Sequence, residues 1–208
     1  MNLDTSAIRL YNYNTIRQGG IAMSHILVLN GSARPNAFTA AMIRSFCKGA
    51  ESVGHTVTVI NLSKLNIHSC IGCLNGGKDK EHPCVQRDDM DTVYAEFRKA
   101  DVTVFATPLF FWSYSGLLKN VIDRLWALAE YDRSELIGKG RSGALLVAAG
   151  GSHPEPLYEH FDYMMKRLAW RNLGKAALLH TDDMDMQGIP ECEDAYKLGA
   201  SIGKCEEQ

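Results

Sequence analysis

Ser32, Arg34, Asn36 and Thr39 fall within eight consecutive positions, in the run His25-Ile-Leu-Val-Leu-Asn-Gly-Ser-Ala-Arg34-Pro-Asn-Ala-Phe-Thr39. Two hydroxyls, an amide and a guanidinium at that spacing suit a phosphate, because the planar guanidinium matches phosphate geometry and hydroxyls donate to its oxygens. A second group is Phe110, Phe111 and Trp112, inside Pro108-Leu109-Phe110-Phe111-Trp112-Ser113. Adjacent aromatics are costly when wet and suit a planar ligand, since ring stacking contributes roughly 0.5–1.5 kcal/mol beyond burial. A third group is Cys70-x2-Cys73 with Cys84, whose thiols suit a metal or redox chemistry.

Each group has a plainer reading. The first would serve as an ordinary βα turn, the second as a hydrophobic cluster, and the third as free thiols. Position in the fold therefore matters. Ile26 to Leu29 is an unbroken apolar run, as in a strand buried on both faces. Gly31 turns the chain, and Asn36 or Thr39 is expected to cap the helix that follows, with Pro35 in its first turn. A loop between strand and helix aims backbone N–H groups at one point, which favours an anion.

The same alternation continues along the chain. Strands are expected over 55–62, 102–107, 142–149 and 176–180. Helices are expected to begin at Asp88-Asp89 and to span 117–129, 156–170 and 193–202, with Gly174 closing off the third. Five strands alternating with helices predict an α/β, flavodoxin-like three-layer sandwich, with a five-stranded parallel sheet of order 2-1-3-4-5. Ligands in such a sheet sit beyond the C-terminal strand ends. The loops there are 31–39, 107–116 and 149–153, the last carrying Gly150 and Gly151. A phosphate site and a flat heterocycle in one crevice describe FMN.

Composition narrows the class. The chain has 208 residues, 46% of them hydrophobic, with a formal charge of −2, which excludes a nucleic-acid footprint. No apolar stretch is long enough to span a bilayer. Residues 1–22 lack an apolar core and a cleavage site, so they read as a mobile N-terminal arm before a single domain over 23–208. Six cysteines without a secretory signal predict reduced thiols in the cytoplasm. GxxxxGK[ST] and GxGxxG are both absent, as are the acidic strand ends of a receiver domain and the Cys-x5-Arg of a low-molecular-weight phosphatase.

Taken together, Gly31-Ser32-x-Arg34-x4-Thr39, Cys70-x-Gly72-Cys73, Asp88-Asp89-Met90 and Thr107-Pro108 with Lys119-x3-Asp123-Arg124 resemble the NADPH-dependent FMN reductase family. The resemblance implies that Ser32, Arg34, Asn36, Phe38 and Thr39 hold the FMN phosphate. It also implies that Pro108, Leu109, Phe110, Phe111, Trp112 and Ser113 line the isoalloxazine ring with Gly150 and Gly151, and that NADPH or NADH is the co-substrate. It implies reduction of a small acceptor (a quinone, nitro or azo compound, or flavin) in a homodimer or homotetramer; with no second nucleotide fingerprint in the chain, nicotinamide and acceptor are expected to share one flavin face in turn, a ping-pong mechanism. A non-catalytic electron carrier and a redox-sensing flavoprotein are the alternatives. Hydride transfer to a flavin needs no protein acid or base, so no catalytic residue is assigned. The cysteines are similar to those of the iron–sulfur flavoproteins of this superfamily, which use four thiolates with a CxxCxxC start. Position 76 here is Gly. His68 or His82 would complete a zinc set, but free thiols or a redox-responsive pair are the favoured reading, and no metal ligand is assigned. Lys119, Asp123 and Arg124 read as surface or interface ion pairs.

Overall fold

The computed structural model describes residues 8–11, 23–138, 140–185, 189 and 191–203. Its strands are β1 (Ile8–Tyr11), β2 (His25–Asn30), β3 (Thr56–Asn61), β4 (Val102–Pro108), β5 (Ser142–Ala148) and β6 (Arg171–Leu178). They form one sheet of order β1-β3-β2-β4-β5-β6. The five strands β2 to β6 are parallel, in the expected flavodoxin-like order.

The apolar runs predicted this sheet because each strand is covered twice. Residues Leu27, Leu29, Phe105, Leu145 and Val147 point into one core, and Ile26, Val28, Val104, Ala106 and Leu146 into another. The first is completed by α2 (Met90–Lys99), α3 (Gly116–Arg124), α4 (Trp126–Tyr131) and α6 (Glu155–Leu168). The second is completed by α1 (Phe38–Ser52) and α7 (Glu193–Ser201). The short α5 (Arg133–Leu136) caps the edge of the first layer.

Four expectations are corrected. Part of the supposed arm is a strand: Ile8–Tyr11 pairs antiparallel with β3, making a sixth, edge strand. The rest of that call lies outside the described residues. β6 starts at Arg171, earlier than expected, because Arg171, Asn172 and Lys175 hid its period. Gly174 does not follow a helix; it sits at φ +111 where the β5–β6 register shifts, as a bulge residue. The helix expected over 117–129 is broken at Leu125 into α3 and α4.

Candidate active site

Three loops meet at the C-terminal ends of β2, β4 and β5, and backbone hydrogen bonds lock them together. The Gly31 N–H donates to the Ala106 carbonyl at 2.8 Å, joining the first loop to β4. Ser115 is the hub. Its N–H donates to Thr107 Oγ1 (2.9 Å), its hydroxyl donates to the Gly31 carbonyl (2.7 Å), and the same oxygen caps α3 by accepting from Leu118 N–H (3.3 Å). Thr107 in turn donates to the Pro108 carbonyl at 2.8 Å. Asn30 adds a second brace, accepting from Ser32 N–H (3.0 Å) and donating to Asn61 (2.9 Å). Sequence reading missed Ser115 and Asn30, although a Ser directly before an apolar helix is a capping signal.

The first loop leads into an uncapped helix end. α1 begins with Ala37 as its N-cap and has no side-chain cap, contrary to the expected Asn36 or Thr39. Its first N–H groups are thus left for another acceptor, at the positive end of a 15-residue helix. Pro35 lies in the loop ahead of that helix, where Arg34 and Asn36 are exposed and Ser32 is buried. The Ser32 hydroxyl accepts from Arg34 N–H at 3.3 Å and so shapes the loop. Thr39 is buried in the first helical turn. Phe38 stands at the start of the helix. Its ring is in the core formed by β2 and α1, which leaves only its backbone N–H at the helix end.

The aromatic group is a tight hairpin. Phe110 and Ser113 exchange both backbone hydrogen bonds, at 3.1 and 3.0 Å. Phe111 and Trp112 between them take φ +46 and +56, the left-handed pair of a type I′ turn. Such positions favour Asn and Gly, and a bulky residue there costs on the order of 1–3 kcal/mol. Phe111 is nonetheless 93% exposed and Trp112 58%. The turn's own bonds use neither the Phe111 nor the Trp112 N–H. Pro108 is buried as the last residue of β4, and Leu109 extends the pairing through its N–H to the Ala148 carbonyl, 2.8 Å.

The third loop carries Gly150 and Gly151. It is held by the chain after β6, through Thr181 N–H to the Ala149 carbonyl (3.0 Å) and His180 N–H to the Gly151 carbonyl (3.2 Å). A Cβ on Gly150 would lie 2.2 Å from an Asp182 carboxylate oxygen. Asp182 therefore joins the site from a fourth loop that sequence reading did not include.

These features fit a flavin phosphate and ring: an uncapped helix end beside Ser32 and Arg34, next to a strained, wet aromatic turn. The model for NADPH-dependent FMN reductases matches residues 24–178. The chain belongs to the NADPH-dependent FMN reductase family. FMN is the cofactor that goes with this membership. The chain is 31% identical over 140 residues to an iron-sulfur flavoprotein of Archaeoglobus fulgidus, covering 67% of this chain and 60% of that protein. It is 25% identical over 127 residues to an FMN-dependent NADPH-azoreductase of Staphylococcus saprophyticus, covering 61% and 65%. These matches span about half to two thirds of the relatives' length. In fold it is similar to an NAD(P)H:quinone oxidoreductase from Methanothermobacter marburgensis, with a TM-score of 0.68 at 20% identity over 90% of this chain and all of that one.

The cysteine segment of this family member lies apart, between β3 and α2. Asp88 and Asp89 pin it by accepting from His68 N–H (2.9 Å) and Asn66 N–H (2.7 Å). Asp88 also pairs with Arg124 at 2.5 Å, with both side chains 1% exposed. Arg124 was expected as a surface ion pair and is corrected to a buried one; Lys119 and Asp123 do form the exposed pair, at 2.6 Å. Cys70, Cys73 and Cys84 line one cavity of about 370 Å³ with Arg124 and Glu130. Among the described residues no three Cys, His, Asp or Glu side chains converge to hold a metal. A Cβ on Gly76 would meet the flexible end of Glu130 and, at 3.0 Å, the Pro83 carbonyl. Among the described residues this segment offers three thiols, one fewer than a four-thiolate cluster takes.

Proposed function

We propose that this chain is an FMN-dependent NAD(P)H oxidoreductase that reduces a small planar acceptor such as a quinone, a nitro or azo compound, or free flavin. The observation that carries this reading is the Phe111-Trp112 turn. A fold that retains two left-handed, exposed aromatics beside an uncapped helix end is spending stability on a ligand surface. Ser32, Arg34 and the first N–H groups of α1, including Thr39's, take the phosphate. Asn36 flanks it. Pro108, Leu109, Phe110 and Ser113 set the wall on which Phe111 and Trp112 present their rings, and Gly150 and Gly151 give room on the opposite side.

When bound, FMN supplies the two-electron chemistry between reduced nicotinamide and the acceptor. The protein's part is to stack, orient and polarise. The free N–H groups of Phe111 and Trp112 act as fixed donors toward negative charge, and preorganised donors need no rearrangement during reaction. No second nucleotide fingerprint occurs in the sequence, so nicotinamide and acceptor use one stacking surface in turn. A second subunit closing over the exposed rings makes the active species a homodimer or homotetramer.

Steady-state oxidation of NADPH by the flavin-loaded protein with a simple quinone tests the reading. Double-reciprocal plots at several quinone concentrations are expected to be parallel. Intersecting lines would replace the single-surface mechanism, and absence of turnover with every acceptor class would remove the enzyme reading.

A further inference from the structure

The cavity under the cysteine segment is separate from the three-loop crevice, and its lining is chemically specific. Cys70, Cys73 and Cys84 supply sulfur, and Leu74, Val85 and Trp126 supply exposed apolar walls. Arg124 bounds it and is 2% exposed. Its Nη1 is bound to Asp88 and to the His68 carbonyl, while its buried Nε–H has no hydrogen-bond partner. A buried guanidinium N–H without an acceptor is costly and leaves a donor aimed at the site. Cys84 lines the cavity together with this guanidinium. The thiolate is the reactive form of cysteine.

The remaining charges define what can enter. Asp123 is neutralised by Lys119, and Arg124 by Asp88. Glu130, packed against the Gly76 backbone, is in no ion pair among the described residues. Of the charged residues lining the cavity, Glu130 is therefore the one without an opposite partner, beside apolar walls; Arg87, outside the lining, donates to the His82 and Cys84 carbonyls.

We propose that this cavity is a thiol–disulfide exchange site, in which Cys84 attacks a small cationic or uncharged organic disulfide and a cysteine of the Cys70–Cys73 pair resolves the product. In the first step the Cys84 thiolate bonds to one sulfur of R–S–S–R, the S–S bond breaks, and RS⁻ leaves. In the second step the other cysteine, having lost its proton to solvent, attacks the Cys84 sulfur and expels the second RS⁻. Two protein thiols are oxidised to one disulfide, one external disulfide is reduced to two thiols, and the protons end on the released thiolates. No flavin takes part, so the assignment stands independently of the oxidoreductase reading.

The full-length, FMN-loaded protein, reduced and freed of reductant, is mixed with cystamine (cationic) or oxidised glutathione (anionic). Each rate is divided by that of a short unstructured cysteine peptide, and modified peptides are located by mass. The first adduct is expected on Cys84, followed by a Cys84 disulfide to Cys70 or Cys73, with a normalised preference for cystamine of about tenfold. Cys84→Ser should abolish the fast phase, and Glu130→Gln should shrink the cystamine preference while leaving the fold, followed by circular dichroism, unchanged. A first adduct on Cys70 or Cys73, equal normalised rates, or a fast phase that survives Cys84→Ser would each overturn the proposal. Stoichiometric iron and sulfide in anaerobically purified protein would overturn it too, since no thiols would be left to exchange.

Discussion

Asp88 and Arg124 show how much a single residue pair can hold. Burial alone would raise the Asp88 pKa, but the Arg124 hydrogen bond, the His68 and Met90 N–H groups and the Arg124 charge outweigh it and hold the carboxyl below its usual range. A folded-state pKa below the unfolded one means that this stability is present above about pH 4 and fades as pH falls through the folded value. Asp88→Asn leaves the buried guanidinium uncompensated and should cost about 3–5 kcal/mol in urea unfolding at pH 7. The gap between the two proteins should narrow as the pH drops below about 4; a gap independent of pH would show that the pair does not set this dependence. Ser32 and Arg34 matter for affinity instead. Replacing both with Ala removes charge-assisted bonds of roughly 1.5–3 kcal/mol each at most. FMN binding, followed by fluorescence quenching, should weaken at least about tenfold with an unchanged circular dichroism spectrum.

At the scale of elements, the Phe110–Ser113 hairpin sets stability against binding. Its two central residues hold a backbone conformation that Asn and Gly adopt with less strain. The double change Phe111→Asn with Trp112→Gly should raise Tm by about 2–4 °C, as relief of roughly 1 kcal/mol does in a domain of this size. The same change removes the stacking rings and should weaken FMN binding and slow quinone reduction. Loss of Tm together with retained binding would mean that the rings serve packing rather than the ligand. The β6 bulge at Gly174 belongs to this scale as well. It lets a strand that starts with Arg171 and Asn172 and carries Lys175 stay paired to β5 along the sheet edge.

For the molecule as a whole, the question is how the parallel sheet ends. β1 lies antiparallel on β3 and covers what would otherwise be an open row of N–H and C=O groups. Deleting residues 1–22 should therefore lower Tm and raise the tendency to associate, measured by thermal unfolding and light scattering. An unchanged Tm and unchanged scattering would show that the β1 pairing contributes nothing to stability. At the same scale, no helix among the described residues is long and apolar enough to cross a membrane.

The sequence by itself determined the sheet, because buried parallel strands need continuous apolar runs such as Ile26–Leu29, and right-handed crossovers leave few topologies. It also marked Ser32, Arg34, Thr39 and the Phe110–Trp112 turn, since hydroxyls, a guanidinium and aromatics between a strand and a helix are chemically conspicuous. Other features depended on contacts between distant segments. Phe38 faces the core because α1's rotation on the sheet puts it there. Asp182 reaches Gly150, Ser115 joins two loops, and Arg124 is buried rather than exposed, each through partners far along the chain. β1 is only four residues long and β6 starts with polar residues, so neither announces a strand, and they exist because a neighbouring edge supplies the hydrogen bonds. Local chemistry could be read from residue type and spacing; which side chain meets which across the fold was settled only by packing.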